Sequence, residues 1–104
     1  MEVITIKNSV PVDAGFKAWS MLNDKTIEII HLVLSKGEVI ENHVNPVDVV
    51  FYVLNGTGRL TVEGQQESLL SHTLVKVEAG KQRMWENNGF TELRMLVIKE
   101  LKKN

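Results

Sequence analysis

Apolar and polar residues alternate with a period of two through nearly the whole chain, and turn residues cut that alternation into short pieces. Arg59-Leu60-Thr61-Val62-Glu63 alternates cleanly, and Thr73-Leu74-Val75-Lys76-Val77 sets Val75 and Val77 on one face with Lys76 opposite. That pattern suits a strand with one buried and one wet face. Turn signals recur at Asn23-Asp24, Lys36-Gly37, Asn55-Gly56, Glu63-Gly64, Ala79-Gly80 and Asn87-Asn88-Gly89. Short strands at such spacing predict an all-β sandwich or barrel. The expected strands lie near residues 3–7, 15–21, 26–35, 38–44, 48–54, 57–63, 66–69, 73–78, 81–86 and 92–100. The best helical candidate, Trp19 to Asp24, is short and lacks helical periodicity.

With 104 residues the chain is read as a single domain over 1–104, large enough for one core. A net charge of −1 and the lack of a long basic cluster argue against nucleic acid or an acidic membrane surface as partner. Lys102, Lys103 and Asn104 read as a solvated tail. No cysteine is present, so a disulfide framework, a thiolate nucleophile and a cysteine zinc site are excluded. The longest apolar run, Val49 to Leu54, is of strand length and far short of a membrane span. MEVITIKNSV has no apolar run of signal-peptide length, and a cytoplasmic protein is the default expectation.

The stretch Gly37 to Gly56, KGEVIENHVNPVDVVFYVLNG from Lys36, carries the most specific pattern. It holds a glycine turn, a strand reaching His43, a turn at Asn45-Pro46-Val47, the strand Val49 to Leu54 and the Asn55-Gly56 hairpin. This resembles the first motif of the cupin family, a glycine followed after five residues by His-x-His, then Glu, then Gly. The corresponding positions here are Gly37, His43, Asn45, Val49 and Gly56. The second cupin motif has its counterpart in Gly80, Arg83 and Asn87, with Arg83 where the family has histidine. The run His43 to Gly56 and the pair Trp85 and Asn87 are similar to a group of small single-domain cupins. The resemblance covers about residues 26–98 and implies a double-stranded β-helix, or jelly-roll barrel. It implies no particular reaction, since one fold hosts many.

His43 is the leading candidate for ligand binding or proton transfer, because the resemblance places its strand face inside the barrel. Alternation groups Val39, Glu41, His43 and Asn45 on that face. The plainer reading of His43 is a partly buried histidine kept for packing. Carried across, the family's metal positions hold His43, Asn45, Val49 and Arg83, a set with one good ligand and one permanent cation. No metal cofactor is therefore expected, or at most a weakly held divalent transition metal. His31, whose parity with Ile29 and Val33 would turn it inward, and His72, after a turn, are remote substitutes as ligands.

Arg83 introduces a fixed charge where a metal would sit. It either pairs with an internal carboxylate such as Glu41, Asp48 or Glu86, or awaits an anionic ligand. Trp85 and Phe51 would wall the pocket. Tyr52 and Met84 face the other way, and Met84 with Ile30, Leu32 and Leu34 would form an apolar patch for a second subunit. Small cupins are commonly homodimers, so the resemblance and these two-faced apolar strands imply a homodimer. The ligand-binding set expected is His43, Asn45, Arg83, Trp85, Phe51 and Glu41. The favoured function is a cupin that binds a small polar or anionic molecule. The alternatives are a metal-free isomerase with His43 as base and Arg83 as stabiliser, an oxygenase with a relocated metal, and an interaction module with no working pocket.

Overall fold

The computed structural model describes residues 1–101; the Lys102 to Asn104 tail lies outside the described residues. Ten strands follow one another: β1 (Val10–Pro11), β2 (Lys17–Asn23), β3 (Ile27–Leu34), β4 (Val39–Val44), β5 (Val49–Asn55), β6 (Gly58–Val62), β7 (Gln65–Leu69), β8 (Leu74–Val77), β9 (Gln82–Glu86) and β10 (Leu93–Glu100). They form a six-stranded sheet ordered β1-β2-β3-β10-β5-β8 and a four-stranded sheet ordered β4-β9-β6-β7, antiparallel throughout. Two such facing sheets make the double-stranded β-helix that the periodicity and the motifs imply. No helix among the described residues is long and apolar enough to cross a membrane.

One expected strand does not form. Residues 3–7 are not paired, and Ile6–Asn8 make a single 3-10 turn instead. The Asn8 side chain accepts the Thr5 N–H at 2.8 Å, and the Asn8 N–H donates to the Thr5 carbonyl. These local bonds give the backbone an alternative to a ladder, which short polar side chains commonly do.

The inner face of the larger sheet is built in rows across the strands. Leu34 beside Leu93 closes one end, Ala18-Leu32-Met95-Val53 and Ile30-Val97-Phe51 follow, and Glu28-Lys99-Val49 forms the last row. From the smaller sheet Leu60 and Trp85 complete the buried core. Ile30, Leu32 and Leu34 thus belong to the barrel interior, not to an outer patch with Met84 as their spacing suggested. Met84 lies opposite Thr61 on the outer side of the smaller sheet. The apolar outer surface is on the larger sheet, where Trp19, His31, Leu96, Tyr52 and Leu74 stand in one row across five strands.

The end of the barrel near Leu34 is filled and clamped. Fully buried Asn87 donates from Nδ2 to the carbonyls of Leu34 and Thr91, both at 2.9 Å, and its Oδ1 accepts the Gly89 N–H at 3.1 Å. Its backbone bonds Gly37 and Glu38 at 3.0 Å each, so the first glycine turn is tied to the second motif. Gly56 has φ of 85°, and a Cβ there would lie 2.5 Å from the Glu92 carbonyl oxygen. The two glycine turns of the first motif therefore share one end of the barrel, the closed one. At the other end the Gly80 N–H donates to the Asn45 carbonyl at 2.9 Å, joining the remaining motif turns.

Candidate functional site

A cavity of about 180 Å³ lies between the sheets on the side away from the Leu34 end. Strand β9 supplies Arg83 and Trp85, one strand period apart and both 1% exposed. Phe51 from β5 faces them; its ring meets Trp85 edge-on, with centroids 5.4 Å apart at 66°. The Arg83 Cζ lies 5.8 Å from the centre of the same Phe51 ring. His43 and Asn45 reach the cavity from the end of β4 and the turn after it. Of the residues expected to bind a ligand, five are thus brought together.

The sixth, Glu41, is not among them. Ile40 pairs with Trp85 and His43 with Arg83, so Glu41 and Asn42 together oppose the single residue Met84. That extra residue is a β-bulge, and it shifts the parity of β4 by one. Ile40 and His43 line the cavity in place of the expected Val39, Glu41 and His43 series. Val39 pairs with Glu86 on the outer side, and Glu41 is exposed. After the bulge His43 lines the cavity while staying exposed to solvent, with its Nδ1 at 3.3 Å from the Glu41 carbonyl.

His31 and His72 do not reach the cavity. His31 points outward, stacked edge-on against Trp19 and with Nε2 at 3.2 Å from Arg94 Nη1. Burial, and then the neighbouring Arg94 charge, hold its pKa below the usual imidazole value. The inward orientation expected from its parity with Ile29 and Val33 is therefore corrected: the interior parity of β3 belongs to Ile30, Leu32 and Leu34. His72 is exposed in a turn with φ of 69°.

The electrostatics of Arg83 dominate the site. Its Nε and Nη1 have no hydrogen-bond partner, nor does the buried Trp85 Nε1. The carboxylates that might have paired with Arg83 are engaged elsewhere. Glu86 holds Arg59 on the outer face. Asp48 accepts the Ala79 N–H at 2.8 Å and lies 3.6 Å from Lys76 Nζ. Burial pushes the Arg83 guanidinium below its ordinary pKa, yet a guanidinium stays a cation in proteins. The Phe51 face offsets about 2 kcal/mol of the desolvation and accepts a hydrogen bond from neither nitrogen. Leaving such donors bare costs more than that.

The residues present do not fit a transition metal. Tight sites converge three or four imidazole, carboxylate or thiolate groups. The corresponding positions hold His43, Asn45, Val49 and Arg83, and the guanidinium occupies the ligand side opposite His43. Among the described residues no group of three or more His, Cys, Asp or Glu is placed to hold an ion.

Two parts of the cavity wall escaped the sequence reading. Val12, Ala14 and Phe16, in the loop before β2, cover one side. A loop carries no periodic signal. Lys99 stands at the opening, with Nζ 3.6 Å from Glu28 Oε1, while Ser20 Oγ donates to Glu28 Oε2 at 3.0 Å. Lys99 shares the parity of Met95 and Val97, so alternation along β10 was a usable clue.

Fold and site together describe a small β-helix barrel with a buried cation, Arg83, in its cavity. A cupin-domain family profile matches residues 30–99, and the chain belongs to the cupin family. No curated protein matches it. Among solved structures it is similar to a predicted oxalate decarboxylase of Thermotoga maritima, with a TM-score of 0.85, 17% identity and coverage of 97% of this chain and 100% of that one. It is also similar to an RmlC-like cupin with a double-stranded β-helix fold from Methanocaldococcus jannaschii, with a TM-score of 0.82, 22% identity and coverage of 96% and 90%. A Streptococcus pyogenes protein of unknown function aligns with a TM-score of 0.79, 16% identity and coverage of 100% and 98%. Identities this low carry the fold and no activity.

Proposed function

We propose that the barrel binds a small anionic molecule directly through Arg83, without a transition metal. The observation that carries this reading is the pair of buried guanidinium nitrogens, Nε and Nη1, left without an acceptor. A buried cation is costly unless a counter-charge meets it, and an anion entering the cavity supplies one. Arginine suits the task because its planar fork can give two parallel hydrogen bonds to a carboxylate or phosphate. The Trp85 Nε1, on the same wall, is a third donor in need of an acceptor. The His43 ring and the Asn45 amide line the same cavity and are further polar groups for the guest to meet. The cavity of about 180 Å³ is below the range of roughly 300–1,000 Å³ for drug-sized ligands, so the guest is small.

The test is a thermal-shift and calorimetric screen of small anions on the parent protein and on Arg83→Gln. Each charge-assisted hydrogen bond is worth roughly 1.5–3 kcal/mol. The variant should therefore lose at least about tenfold in affinity. Without ligand it should melt at or above the parent temperature, because an unpaired buried charge has been removed. If no anion raises the parent's melting temperature, or Arg83→Gln leaves every shift unchanged, the reading fails.

A further inference from the structure

The cavity also discriminates between anions, by a count of charges and of hydrogen-bonding partners. Two of its lining residues, Arg83 and Lys99, are permanent or near-permanent cations, and none is a carboxylate. Lys99 already has Glu28 at 3.6 Å, and Glu28 is held in turn by Ser20. That pair is locally neutral, so one uncompensated positive charge remains, on Arg83. A monoanion cancels it; a dianion would leave a net negative charge inside a largely apolar chamber.

The rest of the wall offers a guest almost nothing polar. Facing Arg83 and Trp85 stand Phe16, Ile30, Leu32 and Val97, with Ile40 beside Trp85 on the neighbouring strand, and none of these five carries a side-chain donor or acceptor. The backbone of the strands here is engaged in ladder pairing, Ile30 with Val97 and Ile40 with Trp85. A guest hydroxyl turned toward that wall would lose its water and find no substitute, at a penalty of roughly five- to hundredfold in affinity for each group. A methylene in the same place gains about fourfold.

We infer that the ligand is a monocarboxylate with an apolar tail, its carboxylate on Arg83 and its tail against the Phe16–Ile30–Ile40 side, and not a sugar acid or a phosphate. This inference rests on the anion-binding reading of Arg83 and narrows it. It is tested by calorimetry on the parent protein with butanoate, hexanoate, gluconate, inorganic phosphate and hexanol, repeated for hexanoate and gluconate with Arg83→Gln. Hexanoate is expected to bind more tightly than butanoate, and at least tenfold more tightly than gluconate or phosphate. Hexanol should bind weakly, and Arg83→Gln should abolish most of the hexanoate affinity. If gluconate or phosphate binds as tightly as hexanoate and loses that binding in Arg83→Gln, the apolar-tail assignment is overturned while Arg83 remains an anion anchor. If hexanol equals hexanoate, or no anion binds, both fall together. The ranking in the parent protein decides the matter even if the variant folds poorly.

Discussion

Asn87 and Arg83 lie four residues apart in the second motif, and their surroundings give them opposite tasks. The asparagine is completely satisfied: its amide bonds the Leu34 and Thr91 carbonyls and its oxygen takes the Gly89 N–H. Asn87→Ala would strand those buried groups and should cost roughly 2–4 kcal/mol in urea denaturation. Asn87→Asp should cost no less, because carboxylate oxygens would face two carbonyls. A loss below about 1 kcal/mol for both would show that water replaces the clamp. The arginine is unsatisfied, and selection for stability alone would not retain it. His31 supplies a pH signature. Its folded-state pKa is lowered, by burial first and by Arg94 second, whereas the unfolded chain takes up the proton near the ordinary value of about 6.5. The unfolded state therefore binds more protons as pH falls below about 6.5. The stability contribution is complete above that pH and is lost as pH falls through the folded-state pKa. NMR titration of the ring should place the His31 midpoint below that of an exposed histidine, and Arg94→Gln should move it upward; a midpoint at or above the ordinary value would refute this.

At the level of strands, β6 shows how closely the floor of the cavity is packed. A Cβ on Gly58 would lie 2.6 Å from Leu93 Cδ2 and 2.9 Å from the Trp85 ring. Gly58→Ala must displace one of them, and overpacking of this kind costs about 1–3 kcal/mol. Because Trp85 also lines the cavity, the same substitution should weaken anion binding as well as thermal stability. Unchanged affinity in a folded Gly58→Ala variant would mean that Leu93 alone yields. Strand positions were legible in the chain because one face is wet and the other dry, a contrast that survives in side chains. The bulge in β4 was not legible. In Val39 to Val44 two apolar residues are followed by three polar ones, an order that fixes no register, and Glu41 was assigned inward on a parity that the bulge shifts by one. His31 misled for a related reason: on β3 both faces are apolar, so its neighbours Ile29 and Val33 could not say which side was the core. Arg83 was legible because its place in the motif, and not its chemistry, set it inside.

For the whole molecule, the outer face of the larger sheet is the unsettled surface. The row Trp19, His31, Leu96, Tyr52 and Leu74 runs across it, flanked by Ile29, Ile98 and Val50 in the next row. We expect a second copy to cover it about a two-fold axis, since one flat apolar face can serve both partners. Light scattering at micromolar concentration should give twice the chain mass, and Leu96→Arg should halve it. A monomeric parent protein would contradict the expectation.

The order of strands has a kinetic consequence. β10 lies between β3 and β5 in the centre of the larger sheet, so Leu34 meets Leu93 and Phe51 meets Val97 only after most of the chain is present. Neither neighbour pairs with the other across the gap. The intervening loops must close before their contacts repay the lost chain entropy, and domains of such non-local pairing fold in milliseconds to seconds. Until β10 inserts, β3 and β5 each present a bare hydrogen-bonding edge and an apolar inner face. The half-built barrel is therefore most exposed to aggregation during synthesis, when its central strand has yet to emerge.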